Sequence, residues 1–156
     1  MDCGVRGMGI ILDSLNPEKH DAFRGVRGAW KRTLRGISAC RKKGLEFQVQ
    51  TTVAKDNYGE IPELIEFASV LGARAFNLFF LVCTGRGQRM TDIYPRLYER
   101  MLSYIAQIQD EYEMLVRARC APHYTRISLL HGRGIGLLWE IPCWLFGGDV
   151  LFPGAP

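Results

Sequence analysis

One pattern constrains this chain more than any other: an apolar run, then polar residues at its end, then an amphipathic helix, repeated. The first instance is Gly9-Ile10-Ile11-Leu12-Asp13-Ser14, followed by the proline-started segment Pro17 to Phe23 and the steps Arg24-Gly25 and Arg27-Gly28. Met8 to Leu12 is apolar on both parities, as expected of a parallel strand covered on both faces. A helix follows from about Ala29 to Lys43, with Trp30, Leu34 and Ile37 at helical spacing and Gly44 placed to end it. Phe47 to Val53 repeats the strand, rich in β-formers, and Lys55-Asp56-Asn57-Tyr58-Gly59 supplies turn chemistry. Glu60 to Leu71 is a second amphipathic helix, with Ile61, Leu64, Ile65, Ala68 and Leu71 on one stripe and Gly72 behind it.

Ala75 to Val82 is the third apolar run, and Thr84-Gly85-Arg86-Gly87-Gln88 is the loop after it. Thr91 or Asp92 is placed to cap a long helix reaching to about Arg117, on the stripe Leu97, Met101, Tyr104/Ile105, Ile108, Tyr112 and Leu115. The order is therefore β-α-β-α-β-α, which implies parallel pairing. Three units are too few to close an eight-stranded barrel. The expectation is a partial (β/α) TIM-type barrel over residues 1–126, with apolar edges left exposed. Residues 127–156 carry six glycines, two prolines before the last residue and two tryptophans with almost no helix signal, and read as an irregular tail.

Bulk properties exclude several classes. The 156 residues fit one domain, with 47% apolar and 23% charged side chains. A net charge of +4, dispersed along the chain, permits an anionic ligand but shows no basic, aromatic-interleaved stripe for nucleic acid. Five cysteines, at 3, 40, 83, 120 and 143, make an odd set with no Cys-x-x-Cys pair. That argues against a disulfide framework or structural zinc and fits a reducing cytoplasm. The N-terminus has no signal-peptide pattern, and Ala75 to Val82 is far shorter than the roughly 20 residues a bilayer needs.

In parallel βα folds, ligands sit just past the C-terminal ends of the strands. Those positions are Asp13 and Ser14; Thr51, Thr52, Lys55 and Asn57; and Cys83 to Gly87. Gly85-Arg86-Gly87 reads either as an anion contact, with Arg86 clamping a carboxylate, or as a flexible surface loop. Arg24 and Arg27 read as an anion site or as solubilising charge. His20 and Asp21 read either as a proton-transfer or ligand-positioning pair or, because adjacent residues do not face each other on a helix, as capping or solvating its turn. His123 and His131 have no partner at ligand spacing. Cys83 is the one thiol at a strand's C-terminal end, with buried packing as its alternative.

Taken together, six segments resemble the radical SAM superfamily, in the branch of haem-pathway and peptide-modifying enzymes with auxiliary clusters. They are Gly9-Ile-Ile-Leu-Asp-Ser14, His20-Asp-x-x-Arg24-Gly-x-x-Gly28-Ala-Trp30, Gln50-Thr-Thr-Val-x-x-x-Asn57, Leu71-Gly-Ala73, Thr84-Gly-Arg-Gly87 and Cys120-Ala-Pro-His-Tyr-x-Arg126. The resemblance implies a [4Fe–4S] cluster and S-adenosylmethionine as cofactors. By position it implies that Asp13 and Ser14 close the fourth barrel strand. It implies that Thr51, Thr52 and Asn57 close the fifth and hold the methionine or ribose part. Thr84 and Gly85 then lie near the adenine, and Arg86 and Arg24 suit a carboxylate-bearing cofactor precursor or peptide.

Three departures accompany the resemblance. The family's Cys-x-x-x-Cys-x-x-Cys loop is absent from the sequence, and three thiolates are what such a cluster needs to leave one iron open. Ile11 stands where the family usually has a cofactor-contacting serine. The cysteine-rich extension expected after Arg126 does not appear. The resemblance therefore implies the second half of a radical SAM barrel, inactive alone and wanting an N-terminal half. A non-catalytic remnant or a partner- or anion-binding α/β module is the alternative, and an unrelated small α/β binding protein or hydrolase is a third.

Overall fold

A computed structural model describes residues 4–80 and 93–132. Four strands, β1 (Gly7–Ile11), β2 (Glu46–Val53), β3 (Ala75–Phe80) and β4 (Leu115–Arg119), form one sheet in the order β1-β2-β3-β4. All three pairings are parallel. Five α-helices accompany them among the described residues, α1 (Pro17–Arg24), α2 (Ala29–Lys42), α3 (Ile61–Val70), α4 (Pro95–Ile108) and α5 (Tyr124–Leu130), with a 3-10 turn at Tyr58–Glu60. Strand order follows chain order, as in a barrel wall, whereas a doubly wound sheet reverses direction.

Local chemistry sets the helix ends. The Asn16 side chain accepts from the Glu18 and Lys19 amides at 2.9 and 3.1 Å, Pro17 takes the first turn, and Gly25 closes α1 at φ 66°. Asp21 does the equivalent for α2 from the preceding helix, its carboxylate accepting from the Gly28 and Trp30 amides. Gly44 ends that helix at φ 64°.

The pleat divides the sheet into two faces. Ile10, Val49, Phe76 and Val116 stand in register on the face that carries the apolar core. Val49, Phe76, Leu78 and Val116 are fully buried there with Leu64, Ile65, Leu102 and Ile105 of α3 and α4. The row Ile11, Gln50, Asn77 and Arg117 lies on the opposite face.

Three sequence expectations change. The helix expected to run to Arg117 ends at Ile108, and Leu115–Arg119 is a strand. Leu97, Met101 and Ile105 carry a genuine helical stripe, but the polar stretch Gln109 to Glu113 breaks it. Beyond it Val116 buries fully beside Phe76, because pairing with the free side of β3 outweighs helical spacing. Met8 and Ile11 are 44% and 40% exposed, since β1 is an edge strand and not a covered one. In the segment read as irregular, α5 crosses the expected boundary at residue 126. Residues 133–156 lie outside the described residues.

Candidate strand-end site and the inner face

Asp13 is the hub of the strand ends and is 1% exposed. Its Oδ1 accepts from the Thr52 amide at 2.9 Å, joining β1 to β2 beyond their last ladder pair. Its Oδ2 accepts from Arg24 Nε at 2.6 Å and Nη2 at 2.5 Å. Its carbonyl accepts from Asn57 Nδ2 at 2.8 Å, and Asn57 also binds the Thr52 carbonyl and the Ala54 amide. The Thr51 hydroxyl donates to the Leu12 carbonyl at 2.6 Å. Ser14 Oγ donates to Glu60 Oε2 at 2.6 Å, while Lys19 Nζ donates to Glu60 Oε1 at 2.6 Å. Burial pushes the Glu60 carboxyl up, but the bonds from Lys19 and Ser14 outweigh it and hold the group below the usual carboxylate range.

Asp13, Ser14, Thr51, Thr52 and Asn57 thus come together at one rim. Asp13, Ser14, Thr51 and Asn57 direct their side chains into bonds within the protein. Arg24 lies with them, its guanidinium against the Asp13 carboxylate.

Sequence reasoning missed the role of His20. It is fully buried, and its Nδ1 accepts from the Asp13 amide at 3.1 Å and lies 3.8 Å from Asp13 Oδ2. Burial lowers its pKa, with the Arg24 charge adding to that and the Asp13 charge opposing it. A neutral ring that accepts at Nδ1 carries its proton on Nε2. The adjacent Asp21 points away to cap α2, and the Trp30 amide holds its carboxyl low.

The inner face of the sheet is polar. Asn77 Nδ2 donates to Gln48 Oε1 at 2.6 Å, and Arg119 Nε donates to Asn77 Oδ1 at 3.1 Å, so one relay crosses β2, β3 and β4. Gln48 and Asn77 are buried and Arg119 is half-buried. Burial lowers the Arg119 pKa. Gly9 is the complement on β1: a Cβ there would stand 2.8 Å from Gln50 Nε2. Arg117 and Arg119 escaped the sequence reading because the helix was expected to reach about Arg117, which left no strand at Leu115–Arg119. Their alternation with the buried Val116 was the available signal.

Thr84, Gly85, Arg86, Gly87 and Cys83 lie outside the described residues. Cys40 is buried on α2 and Cys120 is exposed after β4 at φ 55°. Among the described residues no group of three His, Cys, Asp or Glu side chains is arranged to hold a metal, so these residues do not fit an iron–sulfur cluster. No helix among them is long and apolar enough to cross a membrane. His123 packs edge-on to Tyr98, with ring centroids 6.2 Å apart.

A parallel sheet wound in chain order, with polar strand ends and a polar inner face, defines a length of (β/α) barrel wall. Comparison with known proteins gives that wall a family. An AdoMet-dependent heme synthase of Methanosarcina barkeri is 46% identical over 152 residues, covering 97% of this chain and 43% of that protein. The AdoMet-dependent heme synthase of Nitratidesulfovibrio vulgaris is 39% identical, covering 97% of this chain and 41% of its own. Streptococcus suis SuiB, solved bound to S-adenosylmethionine, shares the fold at TM-score 0.58 and 19% identity, over 78% of this chain and 28% of SuiB. No protein-family model matches. The chain is similar along almost its whole length to AdoMet-dependent heme synthases, a radical SAM family. It spans about two fifths of the length of these curated relatives.

Proposed function

We propose that this chain is the C-terminal half of a radical SAM barrel. Joined to a cluster-bearing segment, it serves S-adenosylmethionine-dependent radical chemistry on a carboxylate-bearing cofactor precursor or peptide. The observation that carries this reading is the 46% identity to a heme synthase along almost the whole chain. SuiB, whose fold this chain shares, has also been solved with its precursor peptide SuiA.

Bound S-adenosylmethionine, cleaved by one electron donated from a [4Fe–4S] cluster, would supply hydrogen-atom abstraction from the substrate. The cluster thiolates of such a unit come from outside this sequence, which holds no Cys-x-x-x-Cys-x-x-Cys spacing. Within the chain, Asp13, Ser14, Thr51 and Asn57 shape the strand ends, Arg24 neutralises Asp13, and Thr52 meets the methionine or ribose part. Thr84 and Gly85 flank the adenine, and Arg86 meets substrate. The setting is cytoplasmic.

The alternative is a non-catalytic module that binds a partner, and the exposed edge of β1 favours it. Val5, Met8, Ile11 and Val26 are 40–51% exposed there. Reading the coding DNA upstream of the Met1 codon in all frames separates the two. An in-frame or adjoining Cys-x-x-x-Cys-x-x-Cys supports the enzyme, and anaerobic reconstitution of the joined product should then yield S-adenosylmethionine cleavage. A verified stop with no such motif nearby overturns the catalytic reading.

A further inference from the structure

We propose that Arg119 is a carboxylate-recognition residue on the inner face of the sheet. Thr52, Phe79 and Arg119 stand in register, one on each of β2, β3 and β4. That row is the last before the C-terminal ends of the strands, the level at which barrels hold their ligands. Arg119 is therefore level with the strand-end network, on the face away from the core.

Two features suit Arg119 to an anion. The first is orientation. Asn77 is 2% exposed and tied to Gln48, and it takes the Arg119 Nε–H. With Nε engaged, the guanidinium presents its two terminal nitrogens, the end-on fork that matches the two oxygens of a carboxylate.

The second is charge. Among the described residues no carboxylate pairs with Arg119; the ion pairs there join Lys19 to Glu60, Arg24 and His20 to Asp13, and Arg126 to Glu99. Arg24, by contrast, is held by Asp13. A half-buried guanidinium with no carboxylate against it among the described residues is a costly arrangement that a bound anion relieves. The half-buried Phe79 ring beside it suits a ligand that carries its carboxylate on an apolar or planar body.

The carboxylate has two possible sources, the methionyl end of S-adenosylmethionine or an acid group on the substrate. Only this choice of ligand rests on the functional reading above; the anion site itself does not.

The test uses the unmodified chain. The Arg119 Nε–Hε resonance is assigned by triple-resonance NMR and followed while sodium propionate is added, with propionamide as the neutral control. A saturable shift with propionate and none with propionamide is expected. In Arg119→Lys, read instead by the backbone amide resonance of residue 119, propionate binding should weaken roughly tenfold, the loss of one bidentate contact. No propionate-dependent shift, or an equal one with propionamide, overturns the proposal without any variant having to fold.

Competition then identifies the source. Displacement of propionate by S-adenosylmethionine assigns the site to the cofactor. Displacement by protoporphyrin IX but not by its dimethyl ester assigns it to a tetrapyrrole acid. A propionate shift that neither ligand reverses supports the Arg119 site and counts against the functional reading instead.

Discussion

Asp13 shows how much one side chain can organise. It accepts from the Thr52 amide and from Arg24, and its own amide is bound by His20. Asp13→Ala leaves Arg24 without its partner and the Thr52 amide unsatisfied, at a cost of about 3 kcal/mol. Urea unfolding of the two proteins measures this, and a loss below about 1 kcal/mol would show the network to be dispensable. His20 sets a pH dependence. Its folded pKa lies below the unfolded value of about 6.5, so the unfolded chain binds more protons in between. Its contribution is fully present above that value and is lost as pH falls through the folded pKa. The melting temperature should fall from about pH 7 to about pH 5.5 in the native chain and more shallowly in His20→Asn. Equal slopes would remove His20 from the account. Asp21 and Glu60, also held low, add their losses only at more acid pH.

Among the elements, the C-terminal ends of α2 and α3 were legible in the sequence, whereas both ends of α4 and the strand β4 were not. Gly44 was placed as a helix terminator and takes up φ 64°, where a Cβ would meet no neighbour. Gly44→Ala therefore costs only backbone conformation, about 1 kcal/mol, while Gly44→Asn should cost less. Thermal denaturation of the pair checks this, and a neutral alanine would mean the left-handed residue is not required. β4 was hidden because Tyr112 and Leu115 continue the helical spacing of Leu97, Met101 and Ile105. Spacing alone could not show that the free side of β3 was waiting to be paired. That single change moved Arg117 from the end of a helix, and Arg119 from a segment with no assigned element, to the inner face of the sheet.

At the scale of the molecule, the sheet has a bare side. Thr33 Oγ1 donates to the Ile11 carbonyl at 3.2 Å, but no strand covers β1 among the described residues. A groove of about 490 Å³ runs beside it, lined in part by Met8, Ile11, Val26 and Thr33. Exposed apolar strand edges drive association. Sedimentation velocity should therefore show the chain associating with rising concentration, and Met8→Lys with Ile11→Lys should suppress it. A monomer unaffected by those changes would show that the edge is already protected.

The sequence by itself determined the parallel βα architecture and the gathering of Asp13, Ser14, Thr51, Thr52 and Asn57 at the strand ends. Those follow from local causes: apolar runs of strand length, amphipathic stripes, and capping and turn residues at their boundaries. Tertiary structure decided three things that no local pattern encodes. It put β1 at an edge, so residues that read as buried are exposed. It made Leu115–Arg119 a strand, because a long-range ladder outweighed a helical stripe. It spent Arg24 on Asp13 and left Arg119 level with Thr52, because only the register between distant strands determines which charges meet.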